Sequence, residues 1–301
     1  MGKGKPRSVF SNFNPEIPTD AENIPRTIRP APSIEASPVR TLQSTIDESV
    51  ARCFIYRFVA KAFEDPTTTS WTALADAPTQ AALRLAVKVI AAKTNPSLEQ
   101  AADIFVARLN SATFEDLKSA YVSAFGHAAR GDCPLNEIEY GDIKADPLFQ
   151  PHRLADLGAF YSAFGLELAA DAAERHDHIC LELEFMSVLA AKEAYALEHQ
   201  LDAEQLVLCR NAQKLFLREH LGRWTPAFTR RLSRTVGEKS PLCALADFTR
   251  EFVAAECARF DIAPGSEDLL LRPINQADES LCDSCGIAGR LPGALQTCGE
   301  T

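Results

Sequence analysis

Asp177-His178-Ile179-Cys180-Leu181-Glu182-Leu183-Glu184-Phe185-Met186-Ser187-Val188-Leu189-Ala190, continuing to His199, decides the fold. Ile179, Leu183, Met186, Leu189 and Ala190 recur at three- and four-residue spacing, so they share one face of a helix. The same period extends in both directions. Upstream, Ser44 is a plausible N-cap before a stripe of Ile46, Val50, Cys53, Phe54 and Phe58, which ends near Phe63 because Pro66 disfavours helix just before it. A short turn around Trp71–Ala77 leads to a helix over Thr79–Lys93. Ser97 and Thr113 cap two more, the second closing at Gly126. Another runs from Phe149 to Phe164. Downstream, helical patterns cover Asp202–Leu221, 224–235 and 241–262. No segment alternates as a half-buried strand does. The expectation is an all-α protein, a single globular domain of about nine helices over 41–262, with disordered ends.

The ends differ in composition. Residues 1–40 hold seven of the eighteen prolines, carry net charge +2 and show no apolar period, which reads as a disordered Pro-rich arm. Residues 263–301 hold five glycines, three prolines and three cysteines, which reads as a flexible Cys-containing tail. The whole chain of 301 residues has net charge −10, and the helical region −8. That balance argues against nucleic acid, whose phosphates need a basic face, and favours a basic ligand or peptide. No apolar run reaches the roughly 18 residues of a membrane span, so no membrane insertion is expected. The basic start lacks the apolar core of a secretory signal. Six of the nine cysteines stand singly, as expected of buried thiols in a reducing compartment, and the expected location is cytoplasmic.

Four constellations could carry chemistry. Glu174-Arg175-His176-Asp177-His178 sits at a helix start, with Glu182 one turn beyond His178. It reads either as a ligand or acid–base cluster or as a helix cap made by the Asp177 carboxylate. Residues 126–147 form a long break, and its first part, up to Gly141, offers His127, Cys133, Glu137, Glu139 and Tyr140. A Cys–His nucleophilic pair there lacks an oxyanion hole, whereas a loop packed across the bundle and presenting acids to a partner fits the composition. Cys282-Asp283-Ser284-Cys285, with Cys298 beyond, has thiolate spacing suited to zinc or an iron–sulfur cluster, or is an idle reduced tail. Trp224, following His220, Gly222 and Arg223, reads as an anchor between helices.

These residues resemble the TorD/DmsD family of redox-enzyme maturation chaperones, most closely the branch serving DMSO reductase type II molybdoenzymes. Arg52-Cys53-Phe54-Ile55-Tyr56-Arg57-Phe58 is similar to its first helix. Gly126-His127, Cys133-Pro134, Glu137 and Tyr140-Gly141 are similar to its central segment, Tyr161 with Gly165 to its Tyr-x-x-x-Gly, and Glu174–His178 to its Glu-x-Pro-Asp-His. His176 stands where the family usually has proline. The resemblance implies a cytoplasmic all-helical chaperone, not an enzyme. It would bind a molybdoenzyme catalytic subunit and its twin-arginine signal peptide, as a monomer or a domain-swapped dimer, before export. It implies no intrinsic cofactor: molybdopterin guanine dinucleotide would belong to the client. The implied peptide- and client-binding residues are Tyr161, Glu174, Asp177, His178, Glu137, Glu139, Tyr140 and Trp224, with Asp142 a further acid near the peptide's arginines. The alternative is a metal-binding or redox accessory protein acting through Cys282, Cys285 and Cys298. A hydrolase or transferase using His127, Cys133 and His178 lacks any phosphate loop or nucleophile elbow.

Overall fold

The computed structural model describes residues 42–91, 96–126, 131–141, 149–169 and 174–272. The arm 1–40, His127, Asp142 and the cysteines at 282, 285 and 298 lie outside the described residues. The described chain holds ten α-helices: α1 (Leu42–Phe63), α2 (Thr68–Ala75), α3 (Ala77–Ala91), α4 (Pro96–Ser111), α5 (Phe114–Phe125), α6 (Phe149–Ala163), α7 (Ile179–Glu198), α8 (Ala203–Glu219), α9 (Leu221–Thr235) and α10 (Pro241–Arg259). The expected all-α domain is there, with ten helices in place of about nine. The extra one is α2, in the segment read as a turn. Thr67 and Ser70 form a reciprocal capping box there: the Ser70 N–H donates to Thr67 Oγ1 at 3.1 Å, and the Thr67 N–H donates to Ser70 Oγ at 2.9 Å. Serine in place of the usual Glu or Gln hid that signal. Thr113 caps α5 as expected, and Gly126 (φ 70°) closes it with its N–H on Val122 O at 2.8 Å.

The core is built around α1 and α7, which lie along each other. α3 covers α1, α4 bridges α3 and α10, and α8 and α9 close the other side against α7 and α10. The stripe read from the sequence is buried: Ile179, Leu183, Met186 and Leu189 have no exposure. Phe160, Tyr161, Phe185 and Phe216 interlock edge to face, with Phe185 and Phe216 centroids 4.7 Å apart. The six described cysteines are free, and all but Cys53 are buried.

A charged knot ties four helices within this apolar interior. The fully buried Arg52 of α1 donates Nε to both carboxylate oxygens of Glu256 on α10, at 2.8 and 2.9 Å. Its Nη1 donates to Glu193 of α7 at 3.0 Å, and its Nη2 donates to Gln213 of α8 and to Glu256, both at 2.6 Å. Tyr56 adds an O–H bond to Glu256 at 2.8 Å. Arg210, at the rim, donates to Glu193 at 2.7 Å. Burial disfavours the Glu193 charge, but Arg52 and then Arg210 outweigh it and hold the carboxyl down at about 2.

Residues 263–272, read as the start of the tail, lie back across the bundle. The Gly265 N–H donates to Gly222 O at 2.9 Å. The Gly141 N–H donates to Leu270 O, and the Arg272 N–H to Glu139 O, both at 2.9 Å.

Candidate functional site

The site grows from the segment 131–141, which crosses the starts of α7 and α9. Its glycines and Pro134 exclude helix, yet it is not a surface loop: Cys133, Glu137, Ile138, Glu139 and Tyr140 are all buried. Backbone groups that cannot reach water must pair elsewhere. The Glu137 N–H donates to Asp177 O and the Ile179 N–H to Leu135 O, each at 2.9 Å, so the segment runs antiparallel to the residues leading into α7. A single 3₁₀ turn over Glu137–Glu139 then swings the chain toward Gly141. At Gly141, φ is 139°, and an added Cβ would sit 3.3 Å from Arg223 Nη1.

The acids of this segment point inward. Glu137, with no exposure, accepts from Arg223 Nη2 at 2.9 Å and faces His220 Nδ1 at 2.9 Å. Arg153 Nη1 stands 3.7 Å away. The other nitrogen of His220 meets Asp156 at 3.2 Å. Burial pulls the His220 pKa down, but the hydrogen bonds to Asp156 and Glu137 outweigh it and leave the imidazole raised. Burial also opposes the Glu137 charge, and His220, Arg223 and Arg153 hold its carboxyl low nonetheless. Glu139 lies 3.6 Å from both Arg175 Nη2 and Arg272 Nε.

Asp177 does not cap α7. It is fully buried, takes both Nε and Nη2 of Arg175 at 3.0 and 2.9 Å, and accepts from Asn136 Nδ2 at 3.1 Å and the Ile138 N–H at 3.2 Å. Its carboxylate is thus the clasp of segment 131–141. The cap is His178, whose Nδ1 accepts from the Cys180 N–H at 3.3 Å. Burial pushes that imidazole below the usual histidine range. Tyr161 donates to His176 O at 2.7 Å and so fixes the approach to α7. Tyr140 donates to Pro134 O at 2.9 Å. The Trp224 indole N–H donates to Glu182 Oε2 at 3.0 Å, within the core. Burial, followed by the nearby Glu137, holds the Glu182 carboxyl well above its ordinary value, and its Oε1 has no hydrogen-bond partner among the described residues.

The structure therefore brings Glu137, Glu139, Tyr140, Tyr161, Asp177 and Trp224 together as buried supports. Glu174 is exposed, and His178 is half-buried. His178 and Glu182 do not converge as ligands. Among the described residues, no group of three or more His, Cys, Asp and Glu side chains is placed to hold a metal ion. Sequence reasoning missed Asp156 and the inward roles of Arg223 and His220. The available signal was the charge carried within otherwise apolar helical stretches.

A family model described as nitrate reductase delta subunit matches residues 80–230. The chain belongs to that family. The match covers segment 131–141 and α7, and ends within α9. Among the chain's relatives, the perchlorate reductase assembly chaperone protein of Dechloromonas aromatica (strain RCB) is 28% identical over 213 residues, 70% of this chain and 90% of that protein. The selenate reductase assembly chaperone protein of Thauera selenatis is 36% identical over 123 residues, 41% of this chain and 61% of its own length. A chaperone protein TorD of Vibrio cholerae serotype O1 (strain M66-2) is 31% identical over 98 residues, 32% of this chain and 43% of its own. No solved structure gives a significant match. The TorD/DmsD-type resemblance read from Glu174–His178 and the central segment is thereby shown.

Proposed function

We propose that this chain is a cytoplasmic assembly chaperone. It binds a molybdoenzyme catalytic subunit together with its twin-arginine signal peptide and holds both until molybdopterin guanine dinucleotide, carried by the client, has been inserted. The observation that supports this best is the likeness to the perchlorate reductase assembly chaperone protein along 90% of that protein's length. The reading is of a binding protein, not a catalyst. No helix among the described residues is long and apolar enough to cross a membrane.

The geometry suggests how the site residues divide the work. Asp177, Glu137, Tyr140, Tyr161 and Trp224 position the segment 131–141 and the start of α7. Glu174 and His178, with the edge of Glu139, face the client. A helical region of net charge −8 steers a basic peptide toward this face, and acids there can meet its arginines with charge-assisted bonds. The test is capture: tagged full-length chain is drawn from its native host and the co-purifying proteins are identified by mass spectrometry. A molybdoenzyme catalytic subunit bearing an N-terminal twin-arginine sequence is expected. Its absence from cells making that enzyme would overturn the proposal.

A further inference from the structure

We propose that the backbone edge Glu139–Gly141 is a docking edge for an extended, arginine-bearing segment of the client, and that the chain's own Gly265–Arg272 occupies it in cis. This rests on the reading of the protein as a signal-peptide chaperone and names where that peptide lies.

Three observations carry it. The first is the pairing itself: Tyr140 and Leu271 face each other as an antiparallel bridge, flanked by the Gly141 N–H bond to Leu270 O and the Arg272 N–H bond to Glu139 O, both 2.9 Å. This is how an extended peptide adds to an edge, with main-chain bonds giving affinity and side chains giving selectivity. The second is the side chain in register. Arg272 follows three leucines, 269–271, and its Nε lies 3.6 Å from Glu139 Oε2, on the acid that also faces Arg175. The proposed client peptide carries the same two parts in the opposite order, arginine before the apolar run, so what the strap shares with it is an arginine set against Glu139 on a main-chain edge. The third is that the strap is weakly held. No residue of 261–272 is buried, and Leu270 is 72% exposed. Its remaining ties are the Gly265 N–H bond to Gly222 O at 2.9 Å, the packing of half-buried Leu269 and Leu271 on the core, exposed ion pairs of Arg230 with Asp268 at 2.6 Å and with Glu267 at 3.6 Å, and the close approach at Gly265, where an added Cβ would come within 1.9 Å of Arg223 O. A segment with little buried apolar area opens at low free-energy cost.

A client peptide must then displace the strap, and its apparent affinity is reduced by the fraction of chains in which the edge is free. The experiment uses the full chain and two variants, Gly265→Val, which forces the strap off Arg223, and Arg272→Glu, which sets like charges against Glu139. Hydrogen exchange at Gly141 and Arg272 reports whether the strap is open. A synthetic peptide with two arginines followed by a ten-residue leucine–alanine stretch is titrated into each. Both variants should exchange faster at these amides and bind the peptide about tenfold more tightly, as expected if the edge is free in about a tenth of wild-type chains. Peptide added to wild type should itself speed exchange at Arg272. Equal affinity in open and closed chains overturns the docking edge and leaves the chaperone reading standing. Unchanged exchange in both variants overturns the strap as described. Binding by none of the three overturns both readings together.

Discussion

Arg52 shows what a single residue does when its charge is closed off from water. Its fork holds Glu256 and Glu193 at 2.6 to 3.0 Å, so removing it strands two buried carboxylates. Arg52→Ala is expected to cost about 3–5 kcal/mol, read as a lower urea midpoint; a small change would mean that water or Arg210 replaces the lost cation. Asp177 makes a comparable case. As a helix cap it would tolerate asparagine at little cost, but the carboxylate accepts four hydrogen bonds, two of them from Arg175. Asp177→Asn should lose roughly 1.5–3 kcal/mol of stability, measured by chemical denaturation, and loosen segment 131–141. His220 sets a pH dependence. Its folded pKa is raised above the ordinary 6.5, so its contribution is complete below about 6.5 and is lost as pH rises through the raised value. Denaturation midpoints taken from pH 6 to 9 should fall in wild type and fall less in His220→Gln. Glu182, whose carboxyl is also raised, adds a loss of the same sign that begins above its ordinary 4.5. Apart from Arg175 and Asp177, which stand two residues apart, these pairings span 39 to 204 residues, and such separations carry no pairing signal in the chain.

At the scale of elements, helices with strong period and standard caps were readable, and those stopped by local chemistry were not. α5 has Thr113 and Asp116 in the places a capping box requires, and it begins where expected. α2 spans only eight residues and depends on Thr67 and Ser70. Thr67→Ala should cost about 1 kcal/mol and speed amide exchange in 68–71; a silent result would place its stability in the packing of Ser70 and Leu74. Segment 131–141 was recognised as irregular and packed across the bundle, but its acids were expected to face a partner. They face inward because His220, Arg223 and Arg153 stand on elements that only the fold brings beside it.

For the whole molecule, the extended strap after α10 closes the bundle over the start of α9 and the central segment. A chain ending at Ile262 loses the bonds to Gly222, Glu139 and Gly141 and the Arg230 ion pairs. It should melt about 2–4 °C below one ending at Arg272, the shift expected for about 1 kcal/mol in a domain of this size. Equal melting temperatures would mean that the strap adds nothing to the stability of the bundle.

The all-helical class, the apolar stripe of α7, the α5 cap and the family resemblance could be read from the chain alone, because helix period and capping are local and depend on neighbours three or four residues away. The Arg52 knot, the clasp at Asp177, the inward turn of Glu137 and the return of 264–272 onto Glu139–Gly141 were decided only by tertiary structure. A buried charge takes whichever partner the fold places within about 3 Å, and desolvation makes that partner obligatory.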